Sequence, residues 1–102
     1  MEQQTVSIIM AAYNAEVTIQ SAIRSVQVQT YPFWELLVVN DCSTDNTPAI
    51  VSELAESDSR IKLLNNVENS GVSLSRKKAL DAAAGKWIAI LDSDDMWAAE
   101  KL

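Results

Sequence analysis

Residues 34–41 read Trp-Glu-Leu-Leu-Val-Val-Asn-Asp. The centre of this stretch, Leu36–Val39, is apolar at every position, rich in branched side chains and too short for a helix. A strand with one face in water alternates apolar and polar residues, whereas a strand covered on both faces of a parallel sheet reads as a continuous apolar run. Mostly continuous apolar runs, broken only by Ser7 and Lys62, recur at Val6–Ala12, Ile61–Leu64 and Trp87–Leu91. Counted from Val6, Trp34, Ile61 and Trp87, the runs start 28, 27 and 26 residues apart, the length of a strand plus a returning helix.

Helical spacing fills the gaps. Ile19, Ala22, Ile23 and Val26 form one stripe, with Asn14 suited to the N-cap. Ile50, Val51, Leu54 and Ala55 form a second, behind a Pro48 that a first helical turn tolerates. Val72, Ser75, Ala79, Leu80 and Ala83 form a third, and Gly85 follows where a C-terminal stop is expected. The order β-α-β-α-β-α-β implies right-handed crossovers and an α/β fold: an open parallel sheet of about four strands with helices on both faces. No linker, low-complexity segment or charge run divides residues 1–102, a length that fits one domain or one lobe of a larger one.

Composition narrows the function. With 48% apolar residues and a net charge of −6, the chain is not of disordered type. It has no His, which removes imidazole acid–base chemistry and Ser-His-Asp triads, and its single Cys excludes an internal disulfide. A pI near 4.4 argues against nucleic acid as a partner. There is no apolar run of about 20 residues and no visible signal peptide, so a cytoplasmic location is expected. The only glycines are Gly71 and Gly85, so neither a G-x-G-x-x-G dinucleotide turn nor a P-loop is present.

Ligands of open parallel sheets sit at the carboxyl ends of the strands. Here those ends are Tyr13-Asn14, Asn40-Asp41, Asn65-Asn66 and Asp92-Ser93-Asp94-Asp95. Three carboxylates in four residues, with no intervening cation, repel one another unless a metal ion is shared. An oxygen-only donor set selects a hard ion, Mg²⁺ or Mn²⁺, of the kind that also holds substrate phosphates. The plainer reading is an acidic turn capping a following helix. Asp41 is either a ligand residue or part of the cap of the second helix, which Asp45 or Thr47 also serves. Tyr13 either stacks on a base or packs at the sheet edge. Arg76 either meets an anionic ligand or makes a surface ion pair, and Cys42, without a basic neighbour, reads as incidental.

These segments resemble the nucleotide-sugar glycosyltransferases of family 2, with the GT-A fold. Val6-Ser-Ile-Ile-Met-Ala-Ala-Tyr-Asn14 resembles that family's first strand and its Tyr-Asn, and Trp34–Asp45 its second strand and D-x-S-T-D turn. Asn69-Ser-Gly-Val-Ser-Leu-Ser-Arg76 is similar to its N-x-G-x-x-x-x-R segment, and Ala84–Asp95 to the strand ending in its D-x-D metal motif. The resemblance implies strand order 3-2-1-4 and the N-terminal, nucleotide-binding half of a GT-A domain. It implies that Tyr13 lies against the base, flanked by Ala12 and Asn14, that Asp41 binds the base's polar edge, and that Arg76 closes the pocket. Asp92 and Ser93 would face the ribose or diphosphate, and Asp94 with Asp95 would hold Mn²⁺ or Mg²⁺.

The implied reaction is inverting transfer of a sugar from a nucleoside-diphosphate sugar, UDP-linked, to a saccharide or lipid-linked saccharide acceptor, in cell-surface polysaccharide synthesis. The full-length protein would then lie in the cytoplasm or at the inner face of the plasma membrane. The chain departs from the family at Ala11 (usually Pro), Asn40 (often Asp), Cys42 (often Gly) and Lys77 (often Asn). Family domains are longer, so the general base and the acceptor-binding half are expected beyond Leu102, and the chain alone is expected to bind donor without transfer. Its fourth strand is expected to leave an open edge through which copies associate. A HAD-type phosphohydrolase, which also places D-x-D after a strand, and a receiver domain are the competing classes. The first expects D-x-D on strand one followed by Gly, and the second expects an acidic pair where this chain has Tyr13-Asn14.

Overall fold

The computed structural model describes residues 4–102. Four strands alternate with three helices: β1 (Val6–Ala12), α1 (Ile19–Gln27), β2 (Trp34–Asn40), α2 (Thr47–Ser57), β3 (Ile61–Asn65), α3 (Gly71–Ala82) and β4 (Trp87–Ile90). All pairings are parallel and the order is β3-β2-β1-β4, as the family resemblance implied. Val6 stands opposite both Trp34 and Trp87, so the carboxyl ends of the three strands emerge together.

The pleat divides the apolar residues between two faces. Ile8, Met10, Leu36 and Val38 face α1 and α2 and join Ile19, Ile23, Val26, Val51 and Leu54 in the larger core. Ile9, Leu37 and Val39 face the other way, where Ala79 of α3 is the buried helical partner. Fully burying a Leu, Ile or Val side chain is worth about 1.5–3 kcal/mol, so apolar packing holds α1 and α2 far more firmly than α3. Among the described residues no helix is long and apolar enough to cross a membrane.

Four local expectations are corrected. Asn14 does not cap α1: Thr18 is the N-cap, and Asn14 adopts a left-handed φ of 47° in the preceding loop. The α3 stripe is narrower than its spacing suggested, because Ser75 and Ala79 are buried while Val72 and Leu80 are exposed. β4 is as apolar as the central strands, yet Trp87, Ile88 and Ile90 are exposed, since β1 pairs with one edge and, among the described residues, no helix packs extensively on its faces. Gly85 is needed for close approach rather than for a helix stop. A Cβ there would lie 2.6 Å from Ser7 Oγ and 2.7 Å from the Thr5 carbonyl.

That close approach belongs to a polar knot at the amino ends of the strands. Ser7 Oγ donates to Glu35 Oε2 at 2.5 Å, the Ala84 N–H donates to the same oxygen at 2.7 Å, and the Gly85 N–H donates to Ser7 Oγ at 2.8 Å. Burial works to raise the Glu35 carboxyl's affinity for a proton, but these bonds and Lys62 at 3.3 Å outweigh it and hold the carboxyl below its ordinary range.

Candidate functional site

At the opposite, carboxyl edge two loops are laced together. The Asn14 N–H donates to Ser43 Oγ (2.9 Å), and Asn14 Oδ1 accepts from the Thr44 N–H (2.7 Å). The Ala15 N–H donates to Thr47 Oγ1 (2.8 Å), and the Glu16 N–H to Asp45 Oδ2 (3.2 Å). Asp45 Oδ1 also receives the Thr47 N–H and hydroxyl, so it caps α2, and Glu16 Oε2 accepts from the Asn46 N–H. The D-x-S-T-D turn is thereby a clamp that fixes where the Tyr13 ring projects. Tyr13 itself is 54% exposed.

Asp41 caps α3, not α2. It is 5% exposed, and its carboxylate accepts from the N–H groups of Ser70 (2.7 Å) and Gly71 (2.9 Å) and from Asn66 Nδ2 (2.9 Å). The register Asn40↔Asn65 explains this, because it sets the loop after β2 beside the loop that leads into α3. Burial alone would raise the Asp41 pKa, but the bonds from Ser70, Asn66 and Gly71 carry it below the usual carboxylate value. A carboxylate has about four acceptor positions, so three donors leave one on Oδ2 free. Next to it Cys42 adopts a left-handed φ of 61°, the conformation that favours glycine, and donates from Sγ to the Asn66 carbonyl at 3.2 Å.

The acidic segment is organised differently. Leu91 is buried and donates its N–H to the Ile9 carbonyl, and the chain then turns, closed by the Asp95 N–H on the Asp92 carbonyl at 3.0 Å. The turn gathers Asp92, Asp94 and Asp95, all exposed, so that one carboxylate oxygen from each lies within 4.8 Å of the others. Among the described residues, only Asp92 of the three has a basic partner, Arg76 of α3 at 2.8 Å. Three oxygen donors converging with so little neutralising charge suit a divalent hard cation such as Mn²⁺ or Mg²⁺.

Between these loops opens a cavity of about 450 Å³ lined by Tyr13, Asn14, Thr18, Arg76, Asp92, Ser93 and Asp94, with Ala11, Ala15 and Val72. It therefore gathers most of the residues singled out from sequence. Asp95 joins through the acidic cluster. Ala12 and Asp41 lie off the lining: Ala12 is buried in the core and its carbonyl accepts the Asp41 N–H at 2.9 Å. Sequence reasoning missed Thr18, whose hydroxyl donates to the Ser93 carbonyl at 2.9 Å, and Asn66, Asn69 and Ser70, which surround Asp41. Asn66 is legible as a polar strand-end residue, and Asn69 and Ser70 stand within the N-x-G-x-x-x-x-R segment, but nothing local marks Thr18.

Residues 7–102 match the family model described as glycosyl transferase family 2. The chain belongs to this family. It is 55% identical over 102 residues to an Escherichia coli relative, the UDP-Glc:alpha-D-GlcNAc-diphosphoundecaprenol beta-1,3-glucosyltransferase WfgD, covering all of this chain and 40% of the relative. Staphylococcus aureus TarS 1–349, solved in complex with UDP, superposes with a TM-score of 0.87 at 34% identity, over 94% of this chain and 29% of that one. The mannosyltransferase PcManGT from Pyrobaculum calidifontis, solved with GDP-Man and Mn²⁺, gives 0.88 at 30% identity, over 96% of this chain and 30% of that one. The family 2 chain thus has the GT-A sheet and spans well under half the length of these relatives. The phosphohydrolase and receiver alternatives fall with the family match.

Proposed function

We propose that this chain is the donor-binding part of a glycosyltransferase. It takes a nucleoside-diphosphate sugar, UDP-linked, and presents it for inverting transfer to a hydroxyl of a saccharide or lipid-linked saccharide. The observation that carries this reading is that one cavity is lined by the exposed Tyr13 ring together with Arg76 and with Asp92 and Asp94 of the acidic cluster. The UDP bound by TarS, the GDP-Man and Mn²⁺ bound by PcManGT, and the lipid-linked acceptor in the name of the E. coli relative support it.

In this reading Tyr13 stacks on the base, and the open acceptor position on Asp41 Oδ2 takes a base N–H. Arg76 turns from Asp92 toward the diphosphate and stabilises the negative charge that grows as the sugar–phosphate bond breaks. Asp92, Asp94 and Asp95 would hold Mn²⁺ or Mg²⁺, which when bound supplies positive charge to the leaving diphosphate. The other carboxylates along this edge, Glu16, Asp41 and Asp45, already accept backbone N–H bonds. We therefore assign the general base, which must reach the attacking hydroxyl, to a part of the enzyme outside this chain.

Calorimetry tests the reading. UDP should bind at least tenfold more tightly with Mn²⁺ than with a chelator, and Asp94→Ala should abolish that gain. Equal UDP affinity in both conditions would overturn metal-assisted binding, and tighter binding of GDP than UDP would overturn the choice of base.

A further inference from the structure

Thr18 stands at the N-cap of α1 yet forms no side-chain bond to the free N–H groups of that helix. A threonine at this position ordinarily accepts such a bond. Here the hydroxyl is turned outward and donates to the Ser93 carbonyl at 2.9 Å, across 75 positions of sequence, while its approach to the Ala15 carbonyl is only 3.5 Å. Ser93 lies between Asp92 and Asp94, so the bond grips the acidic turn at its middle. Thr18 also borders two cavities that meet at Asp94: the one containing Tyr13 and Arg76, and a second of about 220 Å³ reaching Asp95 and Met96.

We infer that Thr18 is a positioning residue for the cation site, a role that rests on the metal reading above. Three exposed like charges push the turn open, and outside the turn's own Asp95–Asp92 bond two side-chain contacts among the described residues resist this: Arg76 on Asp92 and Thr18 on Ser93. Arg76 is needed by the diphosphate, which leaves Thr18 as the contact that persists when ligand binds. Without it the turn relaxes away from α1 and the carboxylates spread beyond the reach of one ion. Groups behind metal ligands commonly tune affinity in this way.

The test measures UDP affinity by calorimetry, with Mn²⁺ and with chelator, in the parent chain, Thr18→Val and Thr18→Ser. Thr18→Val should lose between about threefold and tenfold of the Mn²⁺-supported affinity, the range of one neutral hydrogen bond, while its affinity with chelator stays at the parent value. Thr18→Ser, which keeps the hydroxyl, should match the parent in both conditions. An undiminished Mn²⁺ gain in Thr18→Val overturns the inference, as does an equal loss in both conditions, which marks a purely structural contact. If Thr18→Val does not fold, Thr18→Ala takes its place, and failure of both to fold also overturns the inference. Absence of any Mn²⁺ gain in the parent is a failure of the metal reading itself.

Discussion

The loops after β2 and β4 leave the sheet on either side of β1, and both present aspartates at the same edge. They are built in opposite ways. Asp41 is buried and surrounded by donors, two of them backbone N–H groups of α3. Asp92 has a side chain 55% exposed, and Asp94 and Asp95 have no basic partner among the described residues. The residue type and the strand-end position are shared, so what separates the roles is the supply of donors. A carboxylate supplied with donors from within chiefly holds the fold and keeps a single acceptor position for a base, whereas those left short of donors are available to a cation.

The largest test of this contrast is Asp41→Ala, which strands three buried or half-buried donors. Each unsatisfied group costs about 1–3 kcal/mol, so urea unfolding should show a loss of about 3 kcal/mol or more. The same carboxylate makes stability pH-dependent. Its folded pKa lies below the ordinary value of 3.8, so its contribution is fully present above that value and is lost as pH falls through the lowered folded one. Asp41→Asn should flatten that acid-side decline, and an unchanged pH profile would break the comparison.

Smaller effects sharpen it. Asn14 and Cys42 share the left-handed conformation, but Asn14 Oδ1 holds the Thr44 N–H, whereas Cys42 makes one weak thiol contact. Asn14→Gly should cost about 1 kcal/mol, and Cys42→Gly should gain about 0.5–1 kcal/mol, both read as shifts in the unfolding midpoint. Smallest of all, Asp94→Asn and Asp95→Asn should change stability by no more than about 0.5 kcal/mol, as exposed positions do. A large loss at either would show that the acidic turn holds the fold as Asp41 does.

Much of this was legible in the sequence, for a physical reason. Leu36–Val39 and Val6–Ala12 must be covered on both faces, and that alone sets a parallel α/β sheet and the edge at which ligands bind. The acidic turn was legible because three adjacent carboxylates need a counter-charge. What escaped was set by contacts across the sheet. β4 has the composition of a central strand, and only its place in the order exposes it. Gly85 looked like a helix stop because its neighbour in space, Ser7, is 78 residues away. Asp41 caps the third helix through the register of β2 with β3, and Thr18 acts on Ser93; neither relation leaves a local trace.

The position of β1 also sets the order of assembly. Of the four strands described it is synthesised first, yet its second neighbour, β4, begins only at Trp87. The base-side loops close once β2 and α2 exist, whereas the acidic turn waits for the longest loop closure in the sheet, an entropic cost that precedes any reward from pairing. Until then one edge of β1 stands open, and the interval before β4 arrives is when the nascent chain is most exposed to pairing with a neighbour.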